Sequence, residues 1–194
     1  MKHVWRAGIR IATAVAALAL GSCSGPTRFV DPEADLPFYE TVGIVPFVSL
    51  AEDRAAGYRV SSICFTELLD RDFARVVEPG QFQAAIREIR GGTAPDAPWS
   101  SADLIKLGEK TGVQGFLMGT VHEYGMRQTG KESFPILSLE LHLVDAATGR
   151  VVWSASKTRK GGPGVPIFGF GEVHTLGELT SQVCRELLAT LPKA

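Results

Sequence analysis

The stretch Leu137-Ser-Leu-Glu-Leu-His-Leu143, continued by Val144-Asp-Ala-Ala-Thr-Gly149 and Arg150-Val-Val-Trp153, decides the fold. Leucine at every second position, with Ser138, Glu140 and His142 between, is the period of a strand with one buried and one wet face. Asp145 to Gly149 carries turn residues. Arg150 to Thr158 then puts Val151, Trp153 and Ala155 on one face of a partner strand, so the pair reads as an antiparallel hairpin.

Upstream, Val113 to Tyr124 reads as another strand, joined to the first by a polar connection over 125–134. Thr41-Val-Gly-Ile-Val-Pro-Phe47 is an apolar run closed by proline, the pattern of a strand buried on both faces. Phe73-Ala-Arg-Val-Val-Glu78 is a further strand. Helical stripes fill the intervals. Val60, Ile63, Cys64, Leu68 and Leu69 share a face within 54–72, and Phe82, Ala85, Ile86 and Ile89 follow Pro79. A helix capped by Ser100 or Ser101 runs through Lys110 and stops at Gly112. Near the end, Thr175-Leu-Gly-Glu178 makes a capping box for a helix carrying Leu176, Leu179, Val183, Leu187 and Leu191. The order β-α-β-α-α-β-β-β-α predicts one α/β domain over 39–194, with a mixed sheet of about five strands and amphipathic helices packed on it.

The N-terminus has another character. Lys2, His3, Arg6 and Arg10 precede the apolar run Ile11 to Leu20, and no acid occurs in residues 1–22. That is the plan of a secretory signal, too short to span a bilayer. Leu20-Gly-Ser-Cys23 follows and resembles the bacterial lipobox. The resemblance implies cleavage after Ser22, a diacylglycerol on the Cys23 thiol, and residues 23–38 as a lipidated tether. Ser24, rather than aspartate, follows the cysteine, which implies the outer membrane, with the domain facing the periplasm. The whole chain has 20 basic and 21 acidic side chains. Loss of residues 1–22 takes Lys2, Arg6 and Arg10 and leaves a net charge of −4, which argues against a nucleic-acid binder.

No catalytic, cofactor or metal site is expected. Gly125-Met-Arg-Gln-Thr-Gly-Lys131 matches most of a phosphate-binding loop, but Glu132 stands where serine or threonine is required and no helix follows. His122 and His142, near Glu123 and Glu140, are too few and too uncertain in register for a metal site. Gly161 to Gly171 is a glycine-rich segment carrying Val165, Ile167, Phe168 and Phe170, which either cover the sheet or form a partner-docking loop. Cys64 and Cys184 lie on apolar stripes and read as core thiols. A disulfide between them remains open, because it requires both helices on one face of the sheet.

Val42-Gly-Ile-Val-Pro-Phe47, Phe73-Ala-Arg-Val-Val-Glu-Pro79, Leu107 to Tyr124 and Leu143 to Trp153 together are similar to CsgG-type lipoproteins. The same superfamily holds the N-terminal domain of TolB and lipoprotein activators of penicillin-binding proteins. The resemblance covers roughly 40–158 and rests on strand and turn motifs. It implies a non-enzymatic accessory or assembly factor, held to the membrane by its N-terminal lipid and bound to another envelope protein or to itself. Two other readings stand beside it. One is a small-ligand or glycan module built around His122, Glu140 and His142. The other is an oligomeric secretion-channel component, although 125–134 is too short and polar for membrane-spanning strands.

Overall fold

The alternating leucines do form the central strand of a sheet. In the computed structural model, which describes residues 25–77, 79–92, 98–162 and 173–192, the chain begins with β1 (Thr27–Val30) and a 3-10 turn (Leu36–Phe38). Then come β2 (Thr41–Ile44), β3 (Val48–Ser49), α1 (Ala56–Arg71), β4 (Arg75–Val76), α2 (Pro79–Arg90) and α3 (Ser101–Thr111). β5 (Gly115–Thr129), β6 (Glu132–Asp145), β7 (Val151–Lys160) and α4 (Leu176–Leu188) complete the order.

The seven-stranded mixed sheet runs β1-β7-β6-β5-β2-β4, with β3 continuing beside β5 where β2 stops. β5 pairs in parallel with β2 and β3, and antiparallel with β6. All five expected strands are present. The two additional ones are short: β3 has two residues, and β1 has four. β1 lies within 23–38, the segment read as tether, so the chain joins the sheet at Thr27, not beyond Pro37.

The residues of β5 alternate between two cores. Leu117 and Val121 join Leu137, Leu139, Leu141, Leu143 and Trp153 under α1 and α4, while Phe116 packs with Phe82, Ile86, Leu104 and Leu107 of α2 and α3. Each such fully buried large side chain contributes about 1.5–3 kcal/mol. Gly43 of β2 makes room for α2, since a Cβ there would lie 2.4 Å from the Phe82 ring. Both expected N-caps form: Ser100 accepts from the Asp103 amide and Thr175 from the Glu178 amide. Gly112, at φ 67°, closes α3.

The reading of Cys64 and Cys184 as separate thiols is corrected. α1 and α4 lie on the same face of the sheet, which brings the Cα atoms to 5.3 Å, and the sulfurs are joined in a disulfide. Glu67 of α1 adds a polar clasp, accepting from Arg185 Nε at 3.0 Å and from the Ser181 hydroxyl. The connection 125–134 is corrected as well. Almost all of it is strand, with Gly130 at φ 65° turning β5 into β6. Among the described residues, no helix is long and apolar enough to cross a membrane.

Candidate functional site

Helices α2 and α3 cover only the β5-β2-β4 half of the second sheet face. Across β7 and much of β6 that face carries the polar members of the alternation, as an antiparallel sheet allows, with the exposed Phe29 of β1 at its edge opposite Ser154. Ser138, Glu140 and His142 of β6 lie opposite Thr158, Ser156 and Ser154 of β7. Thr27 of β1 sits beside Ser156.

β5 supplies His122 through an irregularity. Its pairing with β6 shifts register between Val121 and Glu123, and such bulges re-aim a side chain. His122 Nε2 comes to 3.3 Å from Glu140 Oε2, and His142 Nε2 to 3.5 Å from Glu140 Oε1. One carboxylate therefore stands between two imidazoles. Burial pushes the His142 imidazole below the usual histidine range, helped by His122 and opposed by Glu140. Its Nδ1 is buried without a hydrogen-bond partner.

Beside this cluster lies an open groove of ≈ 470 Å³, lined by Gly25, Thr27, His122, Ser138, Glu140 and Thr158. Its chemistry is hydrogen bonding. The Ser138 and Thr158 hydroxyls bond each other at 2.8 Å, so neither faces a general base in this arrangement. Among the described residues, no three His, Cys, Asp or Glu side chains converge as metal ligands. The segment resembling a phosphate loop is a β-hairpin, with no helix N-terminus to hold phosphate.

The structure thus brings together His122, Glu140 and His142 and leaves Glu123 to pair with Arg127. Cys23, Ser22, and the docking candidates Val165, Ile167, Phe168 and Phe170 lie outside the described residues. Sequence reasoning missed the hydroxyl row of Ser154, Ser156 and Thr158. Its two-residue spacing is present in the sequence, but hydroxyls alternating with Trp153 and Ala155 have the same pattern as any solvated strand face.

No family model and no curated relative matches the sequence. Solved structures do match the fold. The PelC dodecamer from Paraburkholderia phytofirmans aligns with a TM-score of 0.60 at 21% identity, covering 87% of this chain and 97% of that one. Lipoprotein GNA1162 from Neisseria meningitidis aligns with a TM-score of 0.54 at 22% identity, covering 77% of this chain and 98% of that one. The hypothetical protein CT253 from Chlamydia trachomatis follows at 0.51 and 12% identity, covering 78% and 94%. The fold is therefore one that a bacterial lipoprotein adopts across nearly its whole solved length.

Proposed function

We propose that this chain is a lipid-anchored envelope protein, facing the periplasm from the outer membrane, which works by binding protein and not by catalysis. The observation that carries the reading is the Leu20-Gly-Ser-Cys23 box, placed ahead of a domain with the fold of lipoprotein GNA1162. The Cys64–Cys184 disulfide supports it, because such bonds persist in oxidising compartments such as the periplasm. The partner is another envelope protein or further copies of this chain. Self-association draws support from the dodecameric state of PelC, whose fold this chain shares. The CsgG-type resemblance points to the same class of assembly role.

Two measurements test the reading. Mass spectrometry of the mature protein from membranes should find a diacylglyceryl and an acyl chain on Cys23 and no residues 1–22. Cys23→Ala should leave the protein unprocessed and without lipid. Cross-linked envelope extracts should then yield a partner, or a ladder of self-linked species, that Phe168→Ala/Phe170→Ala loses. Recovery of the same species by both proteins removes the docking loop from the proposal.

A second reading is favoured by one observation, the convergence of His122 and His142 on Glu140 beside an open groove. A small polar ligand or glycan could hydrogen-bond there. Titration of envelope glycans against wild type and Glu140→Gln by calorimetry separates the two. A saturable signal lost in the variant favours the groove.

A further inference from the structure

The disposition of β1 and the β5–β6 hairpin fixes how this domain can sit on a bilayer, given the anchor at Cys23 proposed above. Thr27 opens β1 opposite Ser156 of β7, and Ser156 lies opposite Glu140 of β6. β1 runs antiparallel to β7, so the chain preceding Thr27 heads toward the Lys160 end of β7. Gly25 already lies in the groove beside Thr158. Cys23 is four residues before Thr27, a reach of at most roughly 14 Å.

The hairpin points the same way and goes further. β7 ends at Lys160 opposite Ile136, whereas β5 and β6 continue paired to Thr129 and Glu132. From Glu140 to the turn at Lys131 is nine residues, roughly 30 Å of strand. The anchor is thus about half as long as the ribbon beside it. With the sheet upright, the turn would pass the Cys23 backbone by roughly 16 Å, while the headgroup layer of one leaflet is only about 5–8 Å deep.

The ribbon cannot enter hydrocarbon. Arg127, Gln128, Lys131, Glu132 and Ser133 are exposed on it, and among the described residues no strand pairs with its outer edges from Tyr124 to Phe134, so lipid would have to satisfy backbone groups that it cannot. It does suit a headgroup layer on the face that carries Met126: Met126, 50% exposed, supplies an apolar contact and Lys131 at the turn meets anionic lipid phosphates, while Arg127, paired with Glu123, stands on the opposite face. We infer that the sheet lies tilted, with the β5–β6 ribbon resting flat on the headgroups of the leaflet that holds the Cys23 lipid. The Asp145–Gly149 turn, at the far end of β6, then faces the periplasm.

The test uses the full acylated chain in phosphatidylethanolamine/phosphatidylglycerol vesicles. Nitroxide is attached at Met126→Cys or, as the distal control, Ala147→Cys, while Cys64 and Cys184 stay joined. Power saturation is expected to give position 126 a several-fold higher ratio of oxygen to nickel-chelate accessibility than position 147. In a chain that begins at Ser24, without signal or lipid, the two positions should become equal. Equal aqueous values in protein shown by mass spectrometry to be acylated and vesicle-bound overturn the orientation and leave the anchor standing. Shielding of position 126 from both reagents overturns it in favour of a protein contact. Absence of lipid on the wild-type protein removes the anchor reading, and the orientation with it.

Discussion

Cys64 and Cys184 are bonded across the first and last long helices, closing a sequence separation of 120 residues. The bond fastens α4, which is last in the chain, onto the main core beside Leu179, Val183 and Leu187. A loop of that length removes much of the freedom of the unfolded chain. The chain-entropy account gives about 5 kcal/mol for it, and measured losses for native disulfides are about 2–5 kcal/mol. Cys64→Ala/Cys184→Ala is therefore expected to lower Tm by about 10 °C. Reductant should lower the wild type alike and leave the variant unmoved. Calorimetry with and without dithiothreitol checks both.

Two glycines in helices should respond in opposite directions. A Cβ on Gly57 of α1 would stand 2.0 Å from the Phe47 carbonyl oxygen, whereas one on Gly177 of α4 would meet nothing within 4 Å. Gly57→Ala must push α1 from the connection between β2 and β3 and is expected to cost about 1–3 kcal/mol. Gly177→Ala only restricts the unfolded chain and should stabilise by about 0.5–1 kcal/mol. Urea midpoints of the two variants give the comparison.

What the sequence disclosed and what it hid follow from the length of each signal. The leucines of β6, the stripe of α4 and the caps at Ser100 and Thr175 are local patterns, repeated or chemically specific, and all were readable. β1 has four residues flanked by Pro26 and Asp31, and Thr27, Arg28 and Phe29 are exposed, so no alternation announces it. The far part of the hairpin hid for the same reason: Met126 to Gln128 are exposed in succession, and a two-sided polar ribbon has no periodic face. The disulfide was undecidable because periodicity says that a helix packs on a sheet but not on which side. The His122–Glu140 contact depends on a bulge, and a register shift of one residue leaves no mark in sequence.

Acid should weaken the fold through His142. The imidazole is held neutral mainly by burial, with His122 opposing its charge and only Glu140 favouring it. Its folded pKa lies below its unfolded value, so the unfolded chain binds the proton first as pH falls. The stability is present above about pH 6.5, the ordinary histidine value, and is lost as pH falls through the lower folded pKa. His142→Gln should therefore show a smaller drop in urea midpoint between pH 7.5 and pH 5 than wild type. An equal drop would place the acid sensitivity elsewhere.

Alkali should act through Tyr39, with the opposite sign. Its hydroxyl donates to Asp145 Oδ2 at 3.1 Å, and the ring is 5% exposed between the 3-10 turn and β5. Burial, then the hydrogen bond and charge of Asp145, push its pKa up to about 12. The unfolded phenol releases its proton near pH 10, so the native contact stabilises fully below that pH. That contribution is lost as pH rises from about 10 through about 12, because the folded protein must hold a proton the unfolded chain has given up. Tyr39→Phe keeps the ring and removes the titration. Its stability should start lower, by about 0.5–1.5 kcal/mol for one hydrogen bond, and decline less between pH 9.5 and 11.5. Absorbance at 295 nm offers an independent reading: the tyrosine transition near pH 12 in wild type should vanish in this variant. If the highest transition persists in Tyr39→Phe, the raised value belongs to another tyrosine, and the clasp between Tyr39 and Asp145 is not what holds it.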